Sequence, residues 1–135
     1  MRPWLQALPA AVAGGAAVWG AFWLVESVLP PAVSVSLGAG RLVILLVPFS
    51  AAAVVVVRGR LVEAATLLAG SGAAWAVHEI QPFMLCQSDL LYRPCTVSEF
   101  GWMVAPSGLL IVCGVVAAMV ARRRLSEPSR ERART

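Results

Sequence analysis

Charged side chains are scarce in this 135-residue sequence, and lysine and asparagine do not occur at all. Asp, Glu, Lys and Arg make up 13% of the chain, whereas 59% of the residues are hydrophobic and the mean hydropathy is +0.80. Roughly a quarter of the residues in a soluble globular protein are charged. The composition therefore excludes that class and predicts an integral membrane protein. Because every basic residue is arginine and Ala, Val, Gly and Pro are abundant, we expect a GC-rich bacterial source.

Residues that carry chemistry are rare as well, with one histidine and three cysteines in the whole chain. A single histidine leaves no histidine pair for haem or for a conventional transition-metal centre, so no metal and no other cofactor is predicted. The sequence contains no phosphate-binding glycine loop, nucleophile elbow or zinc-binding helix motif, so we do not expect an enzyme.

The net charge of +4 does not predict a nucleic-acid partner. Six of the eleven arginines lie in the last fourteen residues, directly after a hydrophobic segment. Basic clusters in that position normally set membrane orientation and contact anionic lipid. The chain also lacks the interleaved aromatic and basic surface that single-strand binders use. Anionic lipid is therefore the partner expected at the basic tail.

Four apolar stretches are long enough to span a bilayer, which takes roughly 20 residues in a helix. They cover about residues 4–29, 37–57, 61–80 and 97–121. The fold predicted from them is an all-α, four-helix transmembrane bundle within residues 1–125. Arg58-Gly59-Arg60 is the whole connection between the second and third spans, which must therefore be antiparallel neighbours. Residues 126–135 are polar and are predicted to form a disordered basic cytoplasmic tail.

Small side chains recur at helical spacing in the first and third spans. In the third span they are Ala65, Ala69, Gly72, Ala73 and Ala76. In the first span they are Ala10, Ala13, Ala17, Gly20 and Ala21. Small residues let two helix backbones approach closely inside a membrane, so these two spans are expected to pack against each other.

The arginines are distributed unevenly between the two ends of the predicted bundle. With a cytoplasmic N-terminus, nine arginines lie inside and only Arg41 and Arg93 lie outside. The positive-inside rule then predicts that both termini are cytoplasmic, in a multi-pass protein of the bacterial inner membrane. The loop at residues 81–96 would face an oxidising compartment.

That outer loop contains Cys86 and Cys95, with eight residues between them. A disulfide between them is predicted, and it would contribute about 3 kcal/mol by the chain-entropy model. Thr96 and Glu99 have the spacing of a capping box, which predicts that the fourth helix starts there. A redox-active pair is the alternative interpretation. A thiol relay also needs a second cysteine pair, however, and Cys113 stands alone in the fourth span.

The outer loop is unusually apolar for a segment outside the membrane. The residues responsible are Phe83, Met84, Leu85, Leu90, Leu91 and Tyr92. Such a surface either lies on the bilayer or docks into another membrane protein.

Four ionisable residues are predicted at the outer helix ends. His78 and Glu79 end the third span, Glu26 ends the first, and Arg41 opens the second as the natural counter-charge of Glu26. Ionisable groups at one depth of a small bundle can form a proton or cation site. In the simpler alternative they lie at the headgroup level and contact water.

Three functions are compatible with these features. The first is a non-enzymatic accessory or assembly subunit of a larger membrane complex, bound through the small-residue faces or the outer loop. The second is a small proton-coupled transporter that uses the outer acids. The third is a membrane thiol-disulfide oxidoreductase.

Overall fold

A computed structural model describes residues 2–28, 37–88 and 97–132, with side chains over 3–28, 40–80 and 104–126. Within these ranges the chain is helical apart from short turns. The helices are α1 (Arg2–Gln6), α2 (Leu8–Val28), α3 (Leu37–Val57), α4 (Leu61–Ser88) and α5 (Val97–Arg132). α1 and α2 together form the first predicted span, so the all-α class and the count of four main helices agree with the prediction.

Three helical segments in the described ranges are long and apolar enough to cross a membrane. They are Pro3–Val28, Gly40–Val57 and Val104–Ser126. The third predicted span, in α4, is not among them, because it carries Glu63, His78 and Glu79 besides its apolar residues. The prediction of a membrane protein with several spanning helices is therefore supported. α4 does not qualify as a span by its own composition, and it packs against the other helices.

The connection between α3 and α4 is a tight turn built on one glycine. Gly59 has a φ of 77°, a left-handed conformation that favours glycine. The Gly59 N–H donates to the Val56 carbonyl at 2.8 Å, and the Arg60 N–H donates to the Val55 carbonyl at 3.1 Å. This pair of bonds is the Schellman motif, which satisfies the last carbonyls of a helix. The predicted antiparallel α3–α4 hairpin is thus confirmed.

α4 is the central helix, since it packs against α1, α2, α3 and α5. Its largest core residue is Trp75, which is fully buried. The surrounding core consists of Val18 and Phe22 from α2, Ile44 and Ala52 from α3, Leu110 from α5, and Ala64, Leu67 and Leu68 from α4 itself. Because protein surrounds much of α4, this helix tolerates polar residues that would be costly against lipid.

Glycines let the backbone of α4 come into contact with the backbones of α2 and α5. A Cβ added to Gly70 would overlap the Ala11 carbonyl oxygen of α2. One added to Gly72 would lie 3.0 Å from the Ser107 carbonyl oxygen of α5. Close contacts of this kind are the main attraction between helices in a membrane.

The predicted contact between the first and third spans is present, but through partly different residues. Ala11 and Gly14 of α2 face Leu67 and Gly70 of α4. Gly72 of α4 instead faces α5. Of the strip predicted on the first span, Ala13, Ala17 and Gly20 are exposed. Four helices pack against α4, so a strip read from sequence spacing alone does not reveal which helix it meets.

Helix ends also differ from the prediction. The first predicted span is interrupted at Ala7, where Pro9 has no N–H to continue the hydrogen-bond ladder. α4 continues to Ser88, so residues 81–88 of the predicted outer loop are helical. α5 continues to Arg132, through most of the tail predicted to be disordered. Extending an existing helix needs no new nucleation, and Leu, Met, Glu and Arg are good helix formers.

Candidate functional site

The four ionisable residues predicted at the outer helix ends come together where α2, α3 and α4 meet. They form two pairs, Arg41 with Glu79 and Glu26 with His78. His78 and Glu79 are adjacent on α4 and project about 100° apart, so each faces a different neighbouring helix. The predicted cluster therefore exists as a geometric unit, and its role as a site stays a prediction.

The first pair joins α3 to α4 and is largely buried. Arg41 Nη2 lies 3.2 Å from Glu79 Oε1 and 3.5 Å from Glu79 Oε2. The side chain of Glu79 is 5% exposed and that of Arg41 is 20% exposed. A buried carboxylate is tolerated only when a counter-charge and hydrogen bonds replace its water. Arg41 was predicted to pair with Glu26; instead it compensates Glu79, which lies deeper.

The second pair joins α2 to α4 nearer the surface. His78 Nε2 lies 3.6 Å from Glu26 Oε1, and the two form an ion pair only when the imidazole is protonated. Glu26 is 65% exposed and His78 is 24% exposed. One end of the imidazole therefore faces a carboxylate in contact with solvent, while the other end points into the bundle.

Aromatic side chains of α2 and α4 hold the imidazole in place. The His78 ring stacks on Phe22 with centroids 3.9 Å apart and an interplanar angle of 12°. Trp19 meets the same imidazole edge-on at 6.1 Å, and Trp75 meets Phe22 edge-on at 4.9 Å. The Trp19 indole N–H also donates to the Ala74 carbonyl at 3.1 Å. These contacts fix the α2–α4 geometry at the level of the acid–base pairs.

This aromatic surround was not among the features predicted from the sequence. Trp19, Phe22 and Glu26 stand at i, i+3 and i+7 in α2, which places all three on one helix face. That spacing was a signal that could have linked the aromatic residues to Glu26. It was hidden because aromatic residues also recur at such spacing in ordinary apolar cores.

Two buried polar atoms near the pairs have no hydrogen-bond partner within the described part of the chain. They are Trp75 Nε1 and His78 Nδ1. By contrast, the buried Ser71 and Ser107 hydroxyls donate to carbonyls of their own helices, those of Leu67 at 2.8 Å and Val104 at 2.7 Å. Among the described side chains, the buried polar atoms that lack a hydrogen-bond partner thus lie at the end of the bundle that holds the two pairs.

Of the ten predicted site residues in and around the outer loop, five fall outside the described ranges. Leu90, Leu91, Tyr92, Cys95 and Thr96 lie outside the described residues. The other five belong to helices as far as their backbones are described, and they are Phe83, Met84, Leu85 and Cys86 in α4 and Glu99 in α5. The disulfide, the apolar surface and the capping box stay predictions. α5 does begin at Val97, the residue after the predicted cap.

Cys113 and the possible metal ligands among the described residues form no site in this structure. Cys113 is a free, half-buried thiol in α5. Among the described side chains, no three of His, Cys, Asp or Glu converge in a way that could hold a metal ion. The expectation of no metal and no cofactor stays a prediction.

Comparisons with protein-family models, with curated proteins and with solved structures find no match to this chain. Functional inference therefore rests on the residues and their geometry.

Proposed function

We propose that this chain is a non-enzymatic accessory or assembly subunit of a larger membrane complex. The observation that carries the proposal is an uncovered face of the central helix. Ala69, Ala73, Val77 and Ile80 of α4 are exposed, whereas every other residue from 61 to 80 is buried or half-buried. We call these four residues the open face of α4.

The open face lies between the contacts that α4 makes with α2 and α5. Gly70 and Leu67 face α2, and Gly72 faces α5. On a helical wheel the open face is roughly opposite Trp75, which belongs to the core shared with α2 and α3. Within the described ranges, no other helix thus covers this side of α4.

The composition of α4 makes an uncovered side unusual. α4 is the one long helix whose described residues are not apolar enough to qualify as a membrane span. Its open face carries two alanines, and small residues are the type that membrane helices use to pack closely. A transmembrane helix of a partner protein, seated on this face, would complete the enclosure of α4.

The interior geometry favours a subunit over a carrier. Gly14 and Gly70 bring α2 and α4 to backbone contact, and Gly72 and Gly114 do the same for α4 and α5. Such contacts leave no room for a solute between these helices. The buried carboxylate of Glu79 is already compensated by Arg41.

The proton-coupled carrier is the second candidate, because Glu26 is exposed and contacts an imidazole that leads inward. Its specific requirement is the Glu26 carboxylate. If Glu26→Gln abolished a proton-coupled flux in proteoliposomes, the carrier would replace the subunit as the assigned function.

The subunit proposal is tested by affinity purification from native membranes in mild detergent, followed by mass spectrometry. The wild-type chain should co-purify with a larger membrane protein in stoichiometric amount. Ala73→Phe, which puts a bulky ring on the open face, should lose that partner. The matched control is Ala53→Phe, since Ala53 is equally an exposed alanine but lies on α3.

Retention of the partner by both variants would exclude the open face as the interface. Isolation of the wild-type chain as a lone monomer from native membranes would refute the subunit function itself.

A further inference from the structure

Two orphan polar atoms in the bundle interior require partners that the described side chains and backbone do not supply. Trp75 Nε1 and His78 Nδ1 are both buried and unpaired within the described ranges. Trp75 is 0% exposed, so bulk solvent cannot satisfy its indole N–H. Buried donors and acceptors in folded proteins are almost always bonded to protein or to ordered water. The indole N–H therefore points to a small ligand that accepts a hydrogen bond.

A backbone acceptor lies on the helix that faces Trp75. Pro48 is inside α3 and has no N–H, so the carbonyl of Ile44 lacks the donor four residues later that an α-helix normally supplies. The proline ring also pushes that carbonyl away from its place in the ladder. Both Ile44 and Pro48 are fully buried. The Ile44 carbonyl therefore offers an acceptor to a bound molecule.

The ion pair between α3 and α4 fixes these groups at one depth. Arg41 and Glu79 are in contact, and the two helices are antiparallel. One helical turn inward from Arg41 reaches Ile44, and one turn inward from Glu79 reaches Trp75. Ile44 and Trp75 belong to the same buried cluster.

His78, on the next turn of α4, supplies the third polar atom beside Trp75 Nε1 and the Ile44 carbonyl. The rings of His78 and Trp75 both pack on Phe22, with centroid distances of 3.9 Å and 4.9 Å. Residues three apart on a helix lie on the same side, so the two side chains are neighbours. His78 Nε2 faces the Glu26 carboxylate at 3.6 Å, so in the neutral imidazole we place the ring proton on Nε2, which leaves Nδ1 as an acceptor.

We propose that one internal water molecule binds between α2, α3 and α4 at the level of Trp75. The water accepts a hydrogen bond from Trp75 Nε1 and donates its two protons to the Ile44 carbonyl and to His78 Nδ1. This arrangement uses one donor and two acceptors, which matches the three hydrogen bonds that a buried water typically makes.

The bound water has a structural consequence beyond the subunit role. It links the exposed Glu26, through the imidazole of His78, to the backbone of α3 next to Pro48. The outer end of the bundle is thereby joined by a continuous set of polar contacts across α2, α4 and α3. This site does not depend on any partner protein.

The test is nuclear magnetic resonance on the full chain in lipid nanodiscs, with ¹⁵N-labelled tryptophan and histidine. The chain has one histidine, so its two ring nitrogens give unambiguous signals. Loss of one indole signal in Trp75→Phe assigns Trp75. The expected wild-type result is a magnetisation-transfer peak between water and the Trp75 indole proton, together with a proton on His78 Nε2 and none on Nδ1.

Pro48→Ala supplies the missing N–H to the Ile44 carbonyl, so the water should lose one of its three partners. We expect the Trp75 indole signal to shift and its water peak to weaken. The Trp19 signal is the internal control and should stay in place, because its N–H donates to the Ala74 carbonyl. The wild-type spectrum decides the matter even if Pro48→Ala does not fold: absence of the water peak at Trp75, or a proton on Nδ1, overturns the proposal.

Discussion

Substitution of Gly70 by alanine should destabilise the bundle more than any other single methyl addition to a glycine of α4. The new Cβ would overlap the Ala11 carbonyl oxygen and lie 2.8 Å from the Ala11 Cα, both of them backbone atoms. Ordinary contact requires about 3.4 Å, so α2 and α4 must separate locally by at least about 0.6 Å. Overpacking of this kind costs about 1–3 kcal/mol of unfolding free energy.

A matched control separates this clash from the general effect of replacing glycine in a helix. Gly20 of α2 has nothing within 4 Å of an added Cβ. Gly20→Ala should therefore be neutral or stabilising, by up to about 1 kcal/mol, because alanine is the better helix former. The two variants should differ by about 1–4 kcal/mol in unfolding free energy, with Gly70→Ala the less stable of the two.

Reversible unfolding in mixed micelles of increasing sodium dodecyl sulfate measures this difference. The five tryptophans, of which Trp75 is fully buried, provide the fluorescence signal. Equal stability of Gly70→Ala and wild type would refute the close α2–α4 approach. An equal loss in Gly20→Ala would show that the effect is not specific to the interface.

Three further outcomes are expected. Arg41→Met should lower the unfolding free energy by about 3 kcal/mol or more, since it leaves the Glu79 carboxylate, which is 5% exposed, without its cation. Adding Glu79→Gln to Arg41→Met should recover most of that loss. A double variant no more stable than Arg41→Met alone would contradict the buried pair. Alkylation of the unfolded protein should modify one cysteine without reductant and three with it, if Cys86 and Cys95 form the predicted disulfide; three without reductant would exclude it. A C-terminal green fluorescent protein fusion should fluoresce and an alkaline phosphatase fusion should be inactive, as nine inner arginines predict, and the reverse pattern would invert the topology.

Much of the architecture could be predicted from the sequence because membrane spans and tight turns are local signals. Apolar runs of sufficient length predicted the helices, and Arg58-Gly59-Arg60 predicted the α3–α4 hairpin. Helix ends were predicted less well. The continuation of α4 to Ser88 and of α5 to Arg132 follows from the low cost of extending a helix, which composition does not reveal.

Sequence alone determined that this chain is an apolar, helical protein with Glu26, Arg41, His78 and Glu79 near one end of its helices. The tertiary structure decided which of these residues meet. It paired Arg41 with Glu79 and Glu26 with His78, and it placed Phe22 under the imidazole. Pairing depends on the rotation of each helix about its axis, and the close glycine contacts set that rotation. Because those contacts join residues from 35 (Gly72 and Ser107) to 59 (Gly70 and Ala11) positions apart, no local pattern in the sequence specifies them.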